Sequence, residues 1–340
     1  MREKPWSWMI AVALLLGIGP ILADSQVNTT TPSSTTEESR RALEAFARLL
    51  YVERNVNEAM SRYFDARLIQ HDAEIGDGGH GDDAFLEERQ KLHPKQYLSP
   101  EQYHTVVDHL LADGDLIAAK SHVYTNREDR GRVFVDIWRV AGGKFVEHWD
   151  VIQPVPGTSM NQATMWCGGA STWEEAGKLG DMVARPGCGR AGPPANRDAV
   201  LKTVKAYASM LEERKRVAEA VRTFIADDFI QHSPDIRPGK AAFAAYLADR
   251  TVRGTAEGRT SQTARIIADG DCVLIHRRET TNADPRGVAL VDVYRVRSGK
   301  IVEYWHVIQP IPSFSLAGHS MVDGPLEPGR TAGRAGELPK

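Results

Sequence analysis

The stretch VDIWRV at residues 135–140 is followed, after a short turn, by VEHWDVIQP at residues 146–154. In both stretches β-branched and aromatic residues alternate with polar ones, which is typical of β-strands. Between them, Ala141-Gly142-Gly143-Lys144 supplies the glycines that a tight hairpin turn needs. The two stretches therefore predict an antiparallel β-hairpin.

The hairpin occurs twice in the chain. VDVYRV at residues 291–296 and VEYWHVIQP at residues 302–310 repeat the two stretches. Around them, residues 112–156 align with residues 268–312 without a gap, and 22 of these 45 positions are identical. Two long copies with a linker between them indicate tandem domains, because solenoid repeats are shorter and more numerous.

Each copy begins with a helical pattern, in which apolar side chains recur at spacings of three and four residues. These side chains are Leu43, Phe46, Leu49 and Leu50 in copy one, and Val200, Val204, Tyr207 and Leu211 in copy two.

A second short helix is predicted at residues 55–64 and 217–225, followed by a brief strand with the triplet Ile-Gln-His and by a third helix near residues 82–92 or 240–250. Four strand-like runs come next in copy one, at residues 103–111, 116–125, 132–140 and 145–153. Helices followed by an antiparallel meander predict an α+β domain, with the helices packed on one face of a curved sheet.

These patterns divide the chain into six segments. We predict a signal peptide at residues 1–23, a flexible spacer at 24–38, domain 1 at 39–156, a linker at 157–197, domain 2 at 198–321 and a mobile tail at 322–340. The spacer is rich in Thr and Ser and has no apolar period, so it is not expected to bury a core.

The first residues have the form of an export signal. Arg2 and Lys4 precede a short apolar run from Trp8 to Ile18, and cleavage is predicted after Ala23. An uncleaved membrane anchor is the alternative, but the run is shorter than the ~20 residues that span a bilayer. We therefore expect a periplasmic or secreted protein.

Two of the three cysteines lie in the linker. Cys167 and Cys188 are predicted to form a disulfide in an oxidising compartment, with two free thiols as the alternative. Cys272 lies in an apolar strand pattern and is expected to be a buried thiol. The chain has no Cys-x-x-Cys pair, so no zinc site is predicted.

The charge of the chain argues against two classes of partner. The 340 residues carry a formal net charge of −3. Nucleic acid and anionic membrane surfaces both attract concentrated positive charge. We therefore expect a small-molecule ligand, no nucleic acid, and no membrane partner after signal cleavage. The repeat is compatible with pairing of the two domains or with a homo-oligomer.

The candidate chemistry lies on the first hairpin. If Gly142 and Gly143 form a two-residue turn, Asp150 faces Val135 across the ladder, and His148 faces Ile137 on the same side. A carboxylate and an imidazole on a mostly apolar face need an explanation, because a buried charge is costly unless it is paired.

Two interpretations of this pair stay open. In the first, Asp150 is a general acid or base in a pocket, and His71 or His148 polarises a carbonyl group. His122 and Tyr124, on the neighbouring strand, are then further candidates for the pocket wall. In the second, the imidazole and the carboxylate form a satisfied polar pair that only stabilises the hairpin.

Residues 113–116, 135–140 and 147–154 also resemble the SnoaL-like group of the nuclear-transport-factor-2-like superfamily, which is named for polyketide cyclases. The resemblance covers roughly residues 40–165 and 198–321. It implies two tandem cone-shaped α+β barrel domains, each with a deep pocket and with no metal or cofactor.

The resemblance also implies roles for single residues. In the cyclases a His-x-Asp pair supplies the catalytic acid and base, and it maps onto His148 and Asp150, with His71 lining the same pocket. The residues expected to contact substrate are His122, Tyr124, Gln70 and Trp149 in copy one, and His232, Tyr304 and His306 in copy two.

Copy two departs from the family pattern. Tyr304 and His306 replace the His-x-Asp pair, and Arg278 replaces His122. Because the matching carboxylate is missing, copy two is predicted to have lost the family's chemistry and to serve as a structural partner of copy one. The alternative is that histidine exchanges protons in its place, since an imidazole does so near neutral pH and His232 is retained.

The sequence leaves several functions open. The first is a cofactor-independent enzyme of the aldol condensation, isomerase or lyase type, with Asp150 removing a proton next to a carbonyl. The alternative is a non-catalytic module that binds small apolar ligands. A scaffold with filled pockets and an epoxide hydrolase are further alternatives; the latter needs an Asp-Arg-Asp relay, which the sequence does not show.

Overall fold

A computed structural model describes residues 35–79, 102–128, 130–161, 165–166, 172–179, 196–212 and 215–332. The predicted signal peptide, the third helix of copy one near residues 82–92, and both Cys167 and Cys188 lie outside these ranges. The predictions of export and of a disulfide therefore stay predictions.

Domain 1 begins with helical segments that end at the sheet. They are helix α1 (Thr36–Ala47), a π-helical turn (Arg48–Val52) and helix α2 (Val56–Tyr63). The Thr35 hydroxyl accepts a bond from the Glu38 amide, and the Glu38 carboxylate accepts one from the Thr35 amide, so a capping box starts α1. Leu43 and Phe46 are the buried apolar residues predicted for this helix.

The sheet of domain 1 has five strands. They are β1 (Phe64–Gln70), β2 (His104–Asp113), β3 (Leu116–Tyr124), β4 (Arg132–Ala141) and β5 (Lys144–Pro154). The order is β1-β5-β4-β3-β2, and β2 to β5 form the predicted antiparallel meander. Strand β1 pairs parallel to β5, so the sheet is mixed.

Domain 2 repeats this arrangement. Its elements are α4 (Arg197–Glu212), α5 (Val217–Phe224), β6 (Ile225–Gln231), α6 (Lys240–Ala256), β7 (Thr260–Asp269), β8 (Cys272–Thr280), β9 (Val288–Arg297) and β10 (Lys300–Pro310). The order β6-β10-β9-β8-β7 matches that of domain 1. The predicted fold, two tandem α+β cone domains with helices packed on a curved sheet, is confirmed.

The predicted register of the first hairpin is wrong by one residue. Val140 pairs with Phe145, but Arg139 pairs with Glu147, so Val146 is an extra residue in a β-bulge. Beyond the bulge every side chain of β5 lies opposite a different partner on β4. Asp150 pairs with Asp136 instead of with a valine.

The two domains pack sheet against sheet. One hydrophobic cluster contains buried residues of both sheets, from domain 1 Val135, Ile137, Trp149 and Val151, and from domain 2 Val291, Val293, Trp305 and Val307. Because these positions correspond in the repeat, the two sheets bury the same face against each other. The concave faces are left for the helices and for the cavities between them.

A matching pair of aspartates holds the two domains at the ends of β2 and β7. Asp113 accepts the amide of Ala268 and the guanidinium of Arg197, while Asp269 accepts the amide of Ala112 and the guanidinium of Arg40. The contact is thus formed twice, which is the pattern of a pseudo-twofold interface.

The chain after domain 2 returns to domain 1. Strands β11 (Phe314–Ser315) and β12 (Thr331–Ala332) pair, and the amide of Leu316 donates to the carbonyl of Ala73. Val322 is 1% exposed and belongs to the core between the sheets. The predicted mobile tail from residue 322 is therefore corrected for residues 322–332, since Val322 is buried in the core and the buried ion pair of Glu327 with Arg330 holds the residues that follow.

The linker contributes a short helix, α3 (Trp173–Leu179), which packs near β2. Within the described ranges, no helix is both long and apolar enough to cross a membrane.

Candidate functional site

The concave face of domain 1 encloses a cavity of about 520 Å³. Most of its wall is apolar: Leu50, Val56, Met60, Ile75, Val123, Phe134, Ile152 and Pro154. Strand β10 of domain 2 closes part of it with Gln309 and Pro310. Charged side chains line it as well, namely Arg54, Asp72, Glu74 and Arg132. A cavity of this size, with a large apolar surface and polar groups placed in it, is typical of a small-molecule site.

Three ionisable side chains meet in this wall. Asp136, His148 and Asp150 each offer an atom within 4.8 Å of the other two. They meet because Asp136 and Asp150 are paired residues on β4 and β5, and His148 lies two residues before Asp150 on the same face. His148 and Asp150 are each 4% exposed, so the cluster is nearly out of water.

The orientation of His148 is held from two sides. Its Nδ1 lies 2.8 Å from Oε1 of Gln70 and donates to this amide oxygen, and its ring stacks on Trp138. Its Nε2 lies 3.4 Å from Oδ1 of Asp136, longer than a strong hydrogen bond. The imidazole thus stands beside Asp136 with Nε2 on the carboxylate side.

Tyr51 adds a neutral donor to the same cavity. Burial raises the pKa of its phenol well above the ordinary value, and the nearby carboxylate of Asp136 raises it further. The phenol therefore keeps its proton at neutral pH and can donate it in a hydrogen bond.

The same three ligand atoms could hold a metal ion. Two carboxylates and one imidazole are donors that Zn²⁺ or Mn²⁺ accepts. Asp136, His148 and Asp150 are therefore the residues to test for a metal, although the sequence predicts none.

His71 is not in this cavity. Along β1 successive side chains alternate between faces, so Gln70 reaches His148 while His71 lies on the opposite side of the sheet. There its ring stacks on Trp149 at 4.9 Å, and its Nε2 lies 3.0 Å from Oε1 of Glu147. The expectation that His71 lines the pocket is corrected by this placement.

His122, Tyr124 and Trp149 also lie away from the cavity. Ser121 and Val123 line it, so the alternating residues of β3 point to the other face. The ring of His122 packs against Trp166, with centroids 3.7 Å apart, and its Nε2 donates to the carbonyl of Arg130. Burial lowers the pKa of His122 to about 3, so this imidazole stays neutral.

In domain 2, too, some of the predicted residues line a cavity and one lies on the opposite face of the sheet. Tyr304 and His306 line a separate cavity on the concave face. His232 lies on the opposite face, where it stacks on Trp305 at 4.6 Å and bonds to Glu303.

Sequence reasoning missed Asp136. The assumed two-residue turn placed it on the opposite face from Asp150, and the bulge at Val146 reverses that assignment. The repeat contained the signal that could have found it, because the carboxylate is present at this position in both copies, as Asp136 and Asp292.

Three solved structures illustrate what the domains are similar to. An NTF2-like protein of unknown function from Mesorhizobium loti is 16% identical, with a TM-score of 0.30, and the match covers 35% of this chain and 97% of that one. A candidate polyketide cyclase from Bacillus cereus is 15% identical (TM-score 0.28; 33% and 74% covered). An epoxide hydrolase of Mycobacterium tuberculosis is 20% identical (TM-score 0.28; 34% and 87% covered).

A comparison with curated protein sequences finds no match. The model of the SnoaL-like domain family, in contrast, matches the chain in two segments, residues 40–148 and 204–304, which together make up more than half of its length. The two segments coincide with the two copies of the repeat and with the two sheets. The chain therefore belongs to the SnoaL-like domain family and contains its domain twice.

Proposed function

We propose that domain 1 removes a proton from the carbon next to a carbonyl group in a small apolar substrate. Asp150 is the proton acceptor, and export through the signal at residues 1–23 is part of the proposal. The observation that carries it is the cluster of Asp136, His148 and Asp150, which meets in the wall of a cavity of about 520 Å³ beside a large apolar surface.

In the proposed step, groups of the substrate and of the cavity wall take up both the proton and the electron pair of the C–H bond. The C–H bond breaks, its proton moves to a carboxylate oxygen of Asp150, and the electron pair moves onto the carbonyl oxygen. The neutral phenol of Tyr51 is the donor that would stabilise this enolate oxygen, and His148, held beside Asp136, is the second group placed to polarise the carbonyl. In a site that excludes water such donors act strongly.

The first prediction concerns exchange of hydrogen for deuterium next to the carbonyl, which condensation, isomerisation and lyase reactions all share. In D₂O, at least one ketone of a panel such as cyclohexanone and acetophenone is expected to exchange faster with the protein than with buffer. Asp150→Asn should slow this exchange roughly 10²- to 10⁴-fold, because it removes the proton acceptor. Proton NMR measures the rate.

The control for this experiment is Asp65→Asn, a half-buried carboxylate on β1 that does not line the cavity, and this variant should exchange at the wild-type rate. Ligand-induced melting of the same proteins reports binding. If a ketone binds wild type and Asp150→Asn equally and neither protein exchanges its hydrogens, domain 1 is a non-catalytic binding module and the enzyme hypothesis is wrong. No binding of any ketone would favour a scaffold.

The second prediction tests for a metal at the same cluster. Adding EDTA is expected to leave the exchange rate unchanged, because the proposed step uses only side-chain groups. A rate that falls with EDTA and returns with Zn²⁺ or Mn²⁺ would show instead that Asp136, His148 and Asp150 hold a metal ion.

A further inference from the structure

Domain 2 has cavities of its own on its concave face. One of about 400 Å³ lies between helices α4 and α6 and the sheet. A neighbouring space of about 330 Å³ shares Tyr246, Arg250, Arg259, Glu279 and His306 with it. The shared residues include Arg250, Arg259 and Glu279, so charged groups lie where the two spaces meet.

A carboxylate is present in this cavity although the counterpart of Asp150 is missing. Asp292 on β9 is the counterpart of Asp136. The hydroxyl of Tyr304 donates to its Oδ1 over 2.7 Å, and Nδ1 of His306 lies 3.0 Å from the same oxygen. On its other oxygen, Asp292 binds Arg277 over 2.7 Å.

These contacts keep Asp292 ionised. Burial alone would raise the pKa of this carboxyl, but the guanidinium of Arg277 and the bonds from His306 and Tyr304 outweigh burial and hold the pKa well below its usual range. An ionised carboxylate only accepts hydrogen bonds, so Nδ1 of His306 is the donor.

The bond to Asp292 leaves Nε2 of His306 as the basic nitrogen. Nε2 makes no hydrogen bond within the described part of the chain, and the ring lines both cavities. An imidazole whose Nδ1 is held by a carboxylate has a fixed tautomer and ring orientation, which suits a proton acceptor. Domain 2 thus has an imidazole in the place of the Asp150 carboxylate.

Arg250 supplies donors in the same cavities. Its Nη2 binds Glu279, and none of its other side-chain N–H groups is bonded within the described ranges. The side chain is 25% exposed. A guanidinium with unused N–H groups recognises a carboxylate by its fork geometry. Lys215 and Arg259 line the larger cavity and add positive charge around the same space.

We propose that domain 2 binds a small 2-oxo acid, with Arg250 holding the carboxylate and Nε2 of His306 accepting a proton from the carbon next to the carbonyl. The C–H bond breaks, the proton moves to Nε2, and the electron pair moves onto the carbonyl oxygen. Return of a proton to the same carbon restores the acid, so the net result is exchange with solvent. This site is independent of the one proposed in domain 1.

The test uses the full chain in D₂O with pyruvate, 2-oxobutanoate and 2-oxoglutarate as probes. At least one acid is expected to exchange its C3 hydrogens faster than in buffer, as followed by proton NMR. His306→Asn should lower the maximal exchange rate at least 10²-fold while binding is kept. Arg250→Gln should raise the half-saturating concentration about tenfold or more, since it removes the carboxylate-binding cation.

Two controls separate this site from domain 1. Asp150→Asn is expected to exchange the 2-oxo acid at the wild-type rate. The exchange rate of butanone, which lacks the carboxylate, should be the same in Arg250→Gln as in wild type. Unchanged exchange in His306→Asn, loss of exchange in Asp150→Asn, or no binding of any of the three acids would overturn the proposal. If domain 1 fails to exchange any ketone, the interpretation of each of these outcomes for domain 2 does not change, because the two sites are tested with different substrates and variants.

Discussion

Replacing Asp108 by Ala is expected to lower the free energy of unfolding by about 3–5 kcal/mol. Asp108 on β2 pairs with Lys120 on β3, and both side chains are 0% exposed. Lys120 also donates to the carbonyl of Met165. Without Asp108 a buried ammonium would have to stay charged without its counter-ion or lose its proton, and either outcome destabilises the fold. Urea denaturation measures the loss.

The pH dependence of this variant has a defined sign. Burial lowers the pKa of Lys120, and Asp108 only partly restores it. Without Asp108 the folded pKa of Lys120 falls further, so between this folded pKa and the unfolded pKa of about 10.4 the unfolded chain binds more protons than the folded one. Stability then rises with pH, and the deficit of Asp108→Ala should be smaller at pH 9 than at pH 7.

The double variant Asp108→Leu with Lys120→Met is the matched control. It removes both charges and keeps apolar volume, so it should recover most of the lost stability. Asp65→Asn, which weakens a 3.7 Å pair with the exposed Arg67, should change stability by less than about 0.5 kcal/mol. A loss in Asp108→Ala no larger than in Asp65→Asn would contradict the buried pair.

Replacing Trp149 by Ala is expected to have an effect of the same size, about 3–5 kcal/mol. The indole is 0% exposed between the two sheets, and the guanidinium carbon of Arg265 lies 3.3 Å from its ring centroid. The ring of His71 stacks on the indole, and the guanidinium carbon of Arg139 lies 5.7 Å from the ring centroid. The variant therefore leaves a large cavity and a buried guanidinium without its aromatic partner.

Calorimetry measures this effect and tests the shared core at the same time. Because one hydrophobic cluster contains residues of both sheets, a single transition should shift down by on the order of 10 °C. Two separate transitions, of which only one moves, would contradict a shared core.

Trp305→Ala in domain 2 is the matched control for the contribution of the Arg265 guanidinium to the stability lost in Trp149→Ala. Its ring contacts His109 at 4.6 Å in a T-shaped arrangement where Trp149 has Arg265. Burial lowers the pKa of His109 well below its ordinary value, so this imidazole is neutral. The loss in Trp305→Ala should therefore be smaller by about the strength of a desolvated cation–π contact, roughly 2 kcal/mol.

The fold was predictable from the sequence because its signals are local and repeated. The alternating stretches that became β4 and β5, the glycine turn, and the helical spacing of Leu43 and Phe46 each specify an element by periodicity alone. Because the same patterns recur in copy two, each helix or strand is predicted from two separate stretches of sequence. The parallel pairing of β1 with β5 was missed, because it joins segments far apart in the chain.

The candidate site was predictable in part. His148 and Asp150 were identified from residue type and spacing, and the structure brings them into one cavity. Asp136 was assigned to the wrong face, because one bulged residue reverses the side-chain direction of everything beyond it. Asp292 was overlooked as a partner of His306 because its carboxylate comes from the neighbouring strand.

The sequence by itself determined the duplication, the order of helices and strands, and the family, since all three depend on patterns read along the chain. Only the tertiary structure decided which face each polar residue occupies. That choice depends on a bulge and on the burial of one sheet against the other, and no local pattern encodes either. It separates His71 and Trp149, held between the domains, from His148 and Asp150, which face a cavity.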